Sequence, residues 1–465
     1  MRRRLRDALW KTSYFYEPLW WDHHWGDNYV RHYAEQWASV TEYFSLDIIK
    51  QMRASRLKRL LHHANLRVPA YSRHNKKFGV NPVVIHSEDD LPLLPIITKK
   101  DFKKYTAEGI SCRVLDCPTS RMYANTTSGS TGEPFLYFLD TLYQNEKTAL
   151  RYRYWKRAGV DINEPKIFCA PESSLFLVPN LIFLHPHFLR AQKERYVEII
   201  RTSGAKVLFG FPLLVFDLLW VLAENNIDIT FKRAILAGHA ISPGIRSFFR
   251  QKFRCDTFEY YGTGETGSIA AECEVHQGLH IQEENLIVEI VDYYGKPLPD
   301  GTVGKILVTT LNNDVMPFIR YETGDRGVIL SGACPCGRTS RRLLVDGRDS
   351  EYLLVGADGE SISPSMLRRV LDPYFEHFHR YQVVQKDLRT LLILVIPTFR
   401  FRKVMEQEIA NKVQKIIAAP MNITVKSVSS ILPSSGGKFR CFVSDGWKQK
   451  FHDNLFVVEP LEKRC

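Results

Sequence analysis

The chain has 465 residues, 45% of them hydrophobic and 25% charged, and its 63 Lys and Arg against 51 Asp and Glu give a net charge of +12. That length predicts two or more domains, and the composition is that of a globular chain, not a disordered or fibrous one. The basic excess favours anionic partners; because the basic residues are spread and carry no RNP, zinc-finger or helix-turn-helix signature, nucleic acid is not expected among them.

No apolar run reaches the roughly 18–20 residues of a membrane helix; the strongest, "LLVFDLLWVLA" at 213–223, is short and carries Asp217. The start, "MRRRLRDALW", has no apolar segment or small-residue cleavage site behind it, so a cytoplasmic location is expected. Nine cysteines, an odd number without export signals, read as reduced thiols or metal ligands.

In chain order, the aromatic cluster "SYFYEPLWWDHHW" (13–25) reads as an anchor of the terminal segment to its own domain. The alternative joins it to the preceding arginines as a peripheral anchor on the inner membrane face. The stretch "SLDIIKQMRASRLKRLLHHANLRVPAY" repeats apolar residues near a 3.6 period and predicts a helix ending before Pro69. From about 120 to 330, short β-rich runs such as "KIFCA", "AKVLFG", "RAILAG" and "TFEYYG" alternate with helical ones such as "TLYQNEKTALRYRYWKRAG" and "PGIRSFFRQKF". That alternation predicts βαβ units and a largely parallel sheet. After "VDGRDSEYLL" the pattern restarts as a small α+β unit. The expected organisation is therefore α/β and multidomain: a helical and aromatic segment over 1–75, the rest of a large domain over 76–347, and a small domain over 348–465.

Four turns carry chemistry. Residues 126–134, "TTSGSTGEP", bring glycines and hydroxyls after a strand, the means of wrapping a phosphate. Glu133 follows Gly132 where a Walker loop requires lysine, so that loop type is excluded. In "YYGTGETG" (260–267) a tyrosine able to stack on a base precedes a carboxylate able to hold a metal ion. "RYETGDRG" (320–327) puts Asp325 in a turn after a strand, where a carboxylate accepts from two ribose hydroxyls. "LPSSGGKFR" (432–440) offers Lys438 on a glycine-rich turn. Taken singly, each is as readily an ordinary surface turn.

In this order the motifs resemble those of the adenylate-forming superfamily, and within it the phenylacetate–coenzyme A ligase branch with its CapK-like relatives from capsule and exopolysaccharide clusters. The resemblance covers roughly residues 60–445 and includes "LRVPAYSRH", "LPLLPIITKKDF", "TSGSTGEPF", "YETGD" and "GRDSEYLL". It implies a large domain of packed sheets and helices with a mobile C-terminal lid. The implied activity is ATP-dependent adenylation of a small carboxylic acid and transfer of the acyl group to coenzyme A. Thr127, Ser128, Gly129, Ser130, Thr131 and Gly132 are implied to hold the ATP phosphates. Tyr261 and Gly262 are implied to meet the adenine, Glu265 to bind Mg2+, and Asp325 with Arg348 to hold the ribose. Lys438 is implied to bridge the carboxylate and the α-phosphate, with Asp349–Ser350 as the hinge. Glu265 and Lys438 are the pair that the resemblance implies to be catalytic.

Two departures stand out: Gly264 replaces the usual threonine before the motif glutamate, and "AGHA" with His239 replaces a Gly-Glu pair near the adenine. The acid side is expected along "FGFPLLVF" (209–216) and Tyr260, walls that suit an aromatic acid. Cys273, Cys334, Cys336 and His276, with His280 as the alternative fourth ligand, form a Cys₃His set suited to structural Zn2+. Members of the branch carry zinc there; the other reading is buried thiols beside unrelated histidines. An amide- or ester-forming transferase that decorates a polysaccharide, and a non-catalytic nucleotide-binding homologue, stay open as alternatives.

Overall fold

A computed structural model describes residues 33–104, 122–127, 135–169, 180–184, 192–238, 241, 243–348, 362–417, 420–431 and 441–444. The N-terminal aromatic cluster, Ser128–Gly132, His239, Asp349–Ser350 and Lys438 lie outside the described residues.

The large domain opens with helices α1 (Leu46–Arg67), α2 (Pro69–Lys77) and α3 (Lys99–Lys104), followed by strands β1 (Met122–Thr127) and β2 (Phe135–Asp140). Then come α4 (Thr141–Arg157), β3 (Lys166–Cys169), β4 (Leu181–Leu184), α5 (Lys193–Ser203), β5 (Val207–Gly210), α6 (Pro212–Glu224), β6 (Arg233–Ala237) and α7 (Pro243–Phe253). The strands that complete it are β7 (Asp256–Thr263), β8 (Gly267–Glu272), β9 (Leu279–Ile281), β10 (Leu286–Val291), β11 (Gly304–Thr310) and β12 (Tyr321–Leu330), with β13 (Arg342–Arg348) last. The small domain holds α8 (Pro364–Leu371), β14 (Phe378–Asp387), β15 (Thr390–Pro397), α9 (Val404–Ile416), β16 (Asn422–Ser427) and β17 (Phe442–Ser444).

Helix α1 buries Ile49, Leu57, Leu60, Leu61 and Ala64 along one stripe. It stops where expected, because Val68 is pushed to an extended conformation ahead of Pro69, whose fixed φ then starts α2. Arg53, on the same stripe, is buried with its charge met by Glu88 and Glu283.

The main sheet has eleven strands in the order β10-β11-β12-β13-β9-β8-β7-β6-β5-β3-β4. Only the run from β4 to β7 is parallel; every pairing from β7 to β10 is antiparallel. The expectation of a largely parallel sheet thus holds for one half. The physical reason is the connections. Helices α5, α6 and α7 carry the chain across between strands β4 to β7, whereas β7 returns directly to β8 through a short turn, which permits only antiparallel pairing. Strand β7 is where the parallel run ends and the antiparallel run begins, and the carboxyl ends of parallel strands are where ligands bind in such sheets.

The lid sheet has the order β16-β15-β14-β17. Its core is continuous with that of the large domain: Leu367, Leu371, Phe375 and Phe378 pack in one cluster with Phe216, Trp220, Phe248 and Phe249. Phe216 and Phe375 are 5.8 Å apart, and Asp217 pairs with Arg380 beside them. Among the described residues, no helix is long and apolar enough to cross a membrane.

Candidate nucleotide and acyl site

Residues of three sequence motifs, "YYGTGETG", "RYETGDRG" and "GRDSEYLL", meet around the C-terminal end of β7. The Tyr261 hydroxyl donates to Asp325 Oδ2 at 2.8 Å and reaches Thr323 Oγ1 at 3.3 Å. Arg348 pairs with Asp325 Oδ1 at 3.4 Å through the register that sets residue 325 opposite 348 on β12 and β13. Asp325 therefore lies within strand β12 and not in a turn, a correction to the sequence reading. Glu265 sits in the turn between β7 and β8, 5% exposed, and its Oε1 accepts from the Tyr321 hydroxyl at 2.8 Å. The hairpin β1–β2 brackets residues 128–134, with Thr127 paired to Phe135 at its mouth.

Cations gather on this turn. Lys147, on α4, donates from Nζ to the Gly264 carbonyl at 2.8 Å. Burial comes first among the causes that push its ammonium down to about 7, Arg151 adds to the drop, and Glu265 opposes it. Lys99 is likewise lowered by burial while Glu265 opposes the shift, which sets its side chain beside the same carboxylate and near Arg348. Its Nζ lies 5.6 Å over the Phe135 ring. Burial and the Glu265 charge both push Tyr321 and Tyr137 upward, so both hydroxyls stay protonated and able to donate. Lys99, Tyr137, Lys147 and Tyr321 were not singled out from the sequence. Lys99 and Tyr321 stood inside motifs already quoted, whereas Tyr137 and Lys147 carried no local signal.

The departure at Gly264 has a structural counterpart. A Cβ built at 264 falls 2.9 Å from the Tyr137 hydroxyl oxygen. That phenol fills the volume a threonine side chain needs and brings a hydroxyl to the same spot.

A cavity of about 550 Å³ opens between α7, β7, the β8–β9 turn and β13. Its walls include Arg246, Glu259, Glu272, His276 and Val345, and Val345 and Tyr261 both pack against one buried cluster. Burial, then the nearby Glu272 charge, raises Glu259 to about 8, against the Ile241 N–H it accepts and the charges of Arg246 and Arg368. On the opposite face of β7, Tyr260 stacks on Tyr154 at 4.7 Å and on Phe209 at 6.1 Å. Phe209 and Tyr260, read as the acid-side wall, are thus in contact with each other.

The sulfur ligands converge on His280. Cys273, His280, Cys334 and Cys336 offer ligand atoms that all lie within 4.8 Å of one another. Cys273 and Cys334 have sulfurs 3.7 Å apart, and Cys336 Sγ is 3.3 Å from His280 Nε2. The sulfur pair fits the roughly 3.8 Å S–S edge of a tetrahedron with Zn–S bonds of about 2.3 Å, and the sulfur–nitrogen pair is slightly inside the roughly 3.5 Å S–N edge set by a Zn–N bond of about 2.0 Å. They are far from the roughly 2.05 Å of a disulfide. His280 Nδ1 faces Ser340 Oγ at 3.0 Å, which leaves Nε2 for the sulfurs, and burial with Arg157 and Arg338 lowers the imidazole to about 4, its neutral ligating form. His276, the first-choice fourth ligand, is instead held by Glu272 at 3.2 Å and Arg246 at 3.1 Å at the cavity wall. The pairing of β9 with β8 and β13 turns His280 inward, and the left-handed turn at His276 (φ 56) carries that side chain away.

Comparison with known proteins bears on this arrangement. Solved 2-hydroxyisobutyryl-CoA ligase in the postadenylation state with R3-HIB-AMP matches with a TM-score of 0.75 at 18% identity, covering 90% of this chain and 94% of the other. Its open conformation matches with a TM-score of 0.63 at 18% identity, covering 88% and 94%. The fold is the adenylate-forming fold, a large domain followed by a small C-terminal one. Residues 177–316 match the family described as AMP-binding enzyme, and residues 354–445 match the CapK C-terminal domain. Phenylacetate-coenzyme A ligase of Thermus thermophilus is 26% identical over 430 residues, 84% of this chain and 95% of that protein. The Escherichia coli protein of that name is 25% identical over 74% of this chain and 80% of its own length. These matches support a place in the adenylate-forming superfamily, with likeness to its phenylacetate–coenzyme A ligase branch over most of the chain and to the CapK C-terminal domain at its end.

Proposed function

We propose that the chain is an ATP-dependent ligase that adenylates a carboxylic acid and passes the acyl group to coenzyme A. The observation that carries this reading is the meeting of Tyr261, Asp325 and Arg348 with Glu265 and Tyr321 at one strand end. Asp325 accepts from the ribose hydroxyls with Arg348 alongside, and the base lies against Tyr261 and Gly262 near the 550 Å³ cavity. Thr127, Ser128, Gly129, Ser130, Thr131 and Gly132 wrap the phosphates from the β1–β2 hairpin. Glu265 is the ligand for Mg2+, which neutralises phosphate charge when bound; Tyr321 occupies one oxygen of that carboxylate and leaves the other.

Two anions must approach for the carboxylate oxygen to attack the α-phosphorus and expel pyrophosphate. Lys438 bridges them, and Lys99 and Lys147 add positive potential beside Glu265. Residues 348–465 act as the lid that carries Lys438 in and then turns to admit the thiol. Cys273, His280, Cys334 and Cys336 hold a structural Zn2+ that fixes the turn before β13, with a distance pattern that supports four ligands.

The match of residues 354–445 to the CapK C-terminal domain favours one second reading, in which the acyl acceptor is an amine or hydroxyl of a polysaccharide. Acid-dependent exchange of labelled pyrophosphate into ATP tests the adenylation step. Exchange is expected in the full-length protein and is expected to fall at least about a hundredfold in Lys438→Ala. Unaltered exchange in that variant removes the mechanism. Product formation with and without coenzyme A separates the two acceptors.

A further inference from the structure

The acid side of the site carries charge that a simple apolar acid has no use for. Tyr260 and Tyr261 are neighbours on β7 and face opposite sides of it: Tyr261 meets Asp325, and Tyr260 meets Tyr154 and Phe209. An acid whose carboxylate reaches the phosphate near Glu265 therefore extends along the Tyr260 face. Helix α4 flanks that face. Lys147 and Arg151 lie one turn apart on it, with Tyr143 and Tyr154 on the same side.

Lys147 is fixed at the phosphate end by its bond to the Gly264 carbonyl and by the Tyr137 and Tyr143 rings at 5.8 and 6.0 Å. The stem of Lys147 is packed tightly as well, since a Cβ on Gly267 would come 2.9 Å from its Cγ. Arg151 stands beside the Tyr154–Tyr260 pair and acts on both hydroxyls. The carboxylate acting on Lys147 is Glu265, which the adenylation reading gives to Mg2+.

We propose that the substrate is a small dicarboxylic acid: one carboxylate reacts at the phosphate beside Lys147, and the second is held by Arg151 one helical turn away. Side chains at that spacing are about 5–6 Å apart at their Cβ atoms, a separation suited to a four- or five-carbon diacid. A guanidinium takes a carboxylate through two parallel bonds, which sets the length of the acid as well as its charge. Monocarboxylates of the same length forgo that charged contact and bring a methyl group to the guanidinium instead, so the discrimination runs against them.

This inference rests on the adenylation reading, and its test separates the two. Exchange of labelled pyrophosphate into ATP is measured with the full-length protein on matched acids: glutarate against pentanoate, succinate against butanoate, and phenylacetate. A diacid is expected to exceed its monoacid at least about tenfold in kcat/KM. In Arg151→Gln the glutarate-to-pentanoate ratio is expected to fall about tenfold or more, chiefly through KM. Equal or better use of pentanoate or phenylacetate by the wild type, or an unchanged ratio in the variant, overturns the proposal. If Lys147→Met fails to fold, Arg151→Gln still decides the question, because Arg151 is half-buried on the helix surface. If no acid supports exchange, the adenylation reading falls, and calorimetric titration of glutarate into wild type and Arg151→Gln decides this one. Binding weakened about tenfold in the variant upholds it, and equal binding in both refutes it.

Discussion

Asp325→Asn isolates the ribose contact. The native carboxylate accepts from Tyr261 at 2.8 Å and pairs with Arg348 at 3.4 Å. Asparagine keeps the shape and one acceptor oxygen, so the Tyr261 bond survives while the charge is lost. The ion pair contributes little to stability, because Arg348 is 41% exposed and an open pair of this kind contributes about 0–1 kcal/mol. Two ribose hydroxyls, by contrast, lose a charged acceptor, and each such bond is worth about 1.5–3 kcal/mol. With one acceptor retained, the expected loss is about 1.5–3 kcal/mol, or roughly a 10- to 150-fold rise in KM for ATP. Pyrophosphate exchange at graded ATP concentrations measures it, alongside the thermal midpoint. The expected result is a large KM change with a midpoint within about 4 °C of wild type. A KM within twofold of wild type, or a collapse of the midpoint with unchanged KM, refutes the placing of ribose at Asp325.

Three other outcomes are expected. Purified protein is expected to contain one Zn2+ per chain by metal analysis, and Cys273→Ser to lose it with a fall in thermal midpoint; metal-free wild type of equal stability contradicts the Cys₃His site. Gly264→Thr is expected to cost about 1–3 kcal/mol in unfolding free energy by collision with the Tyr137 hydroxyl, and Tyr137→Phe in the same chain to return part of that loss. A double variant no better than the single counts against the exchange of hydroxyls. For Glu259, raised from 4.5 to about 8, the unfolded chain releases the proton first, so wild-type stability falls as pH rises from about 4.5 to 8, by up to ~1.4 kcal/mol per unit. Glu259→Gln is expected to remove that fall in midpoints measured from pH 5 to 9, and parallel curves for the two proteins contradict it.

Much of the arrangement was legible because its parts sit in short motifs with their own chemistry. Tyr261, Glu265, Asp325 and Arg348 each stood in a short motif, and the structure gathers all four. What lay hidden depends on pairing between distant segments. Whether His276 or His280 joins three cysteines is decided by the register of β9 against β8 and β13, which local spacing does not encode. Lys147 and Arg151 read as ordinary charges on an amphipathic helix, and only the packing of α4 against the β7–β8 turn turns them inward. The antiparallel half of the sheet was missed for a related reason: strands rich in Val, Ile and Leu look alike whichever way they run, and connection length alone separates the two cases.

One short stretch has two masters. Phe209 leans on Tyr260 at the acid side, and seven residues later Phe216 rests on Phe375 of the lid. Between them Gly210 (φ 139) admits no side chain, since a Cβ there would overlap the Cys169 carbonyl, and Pro212 begins α6 at once. With no slack in that join, whatever nudges the wall at Phe209 also tilts the footing at Phe216. A substitution that opens the wall at Phe209 is therefore expected to disturb the seating of the C-terminal domain on Phe216 as well.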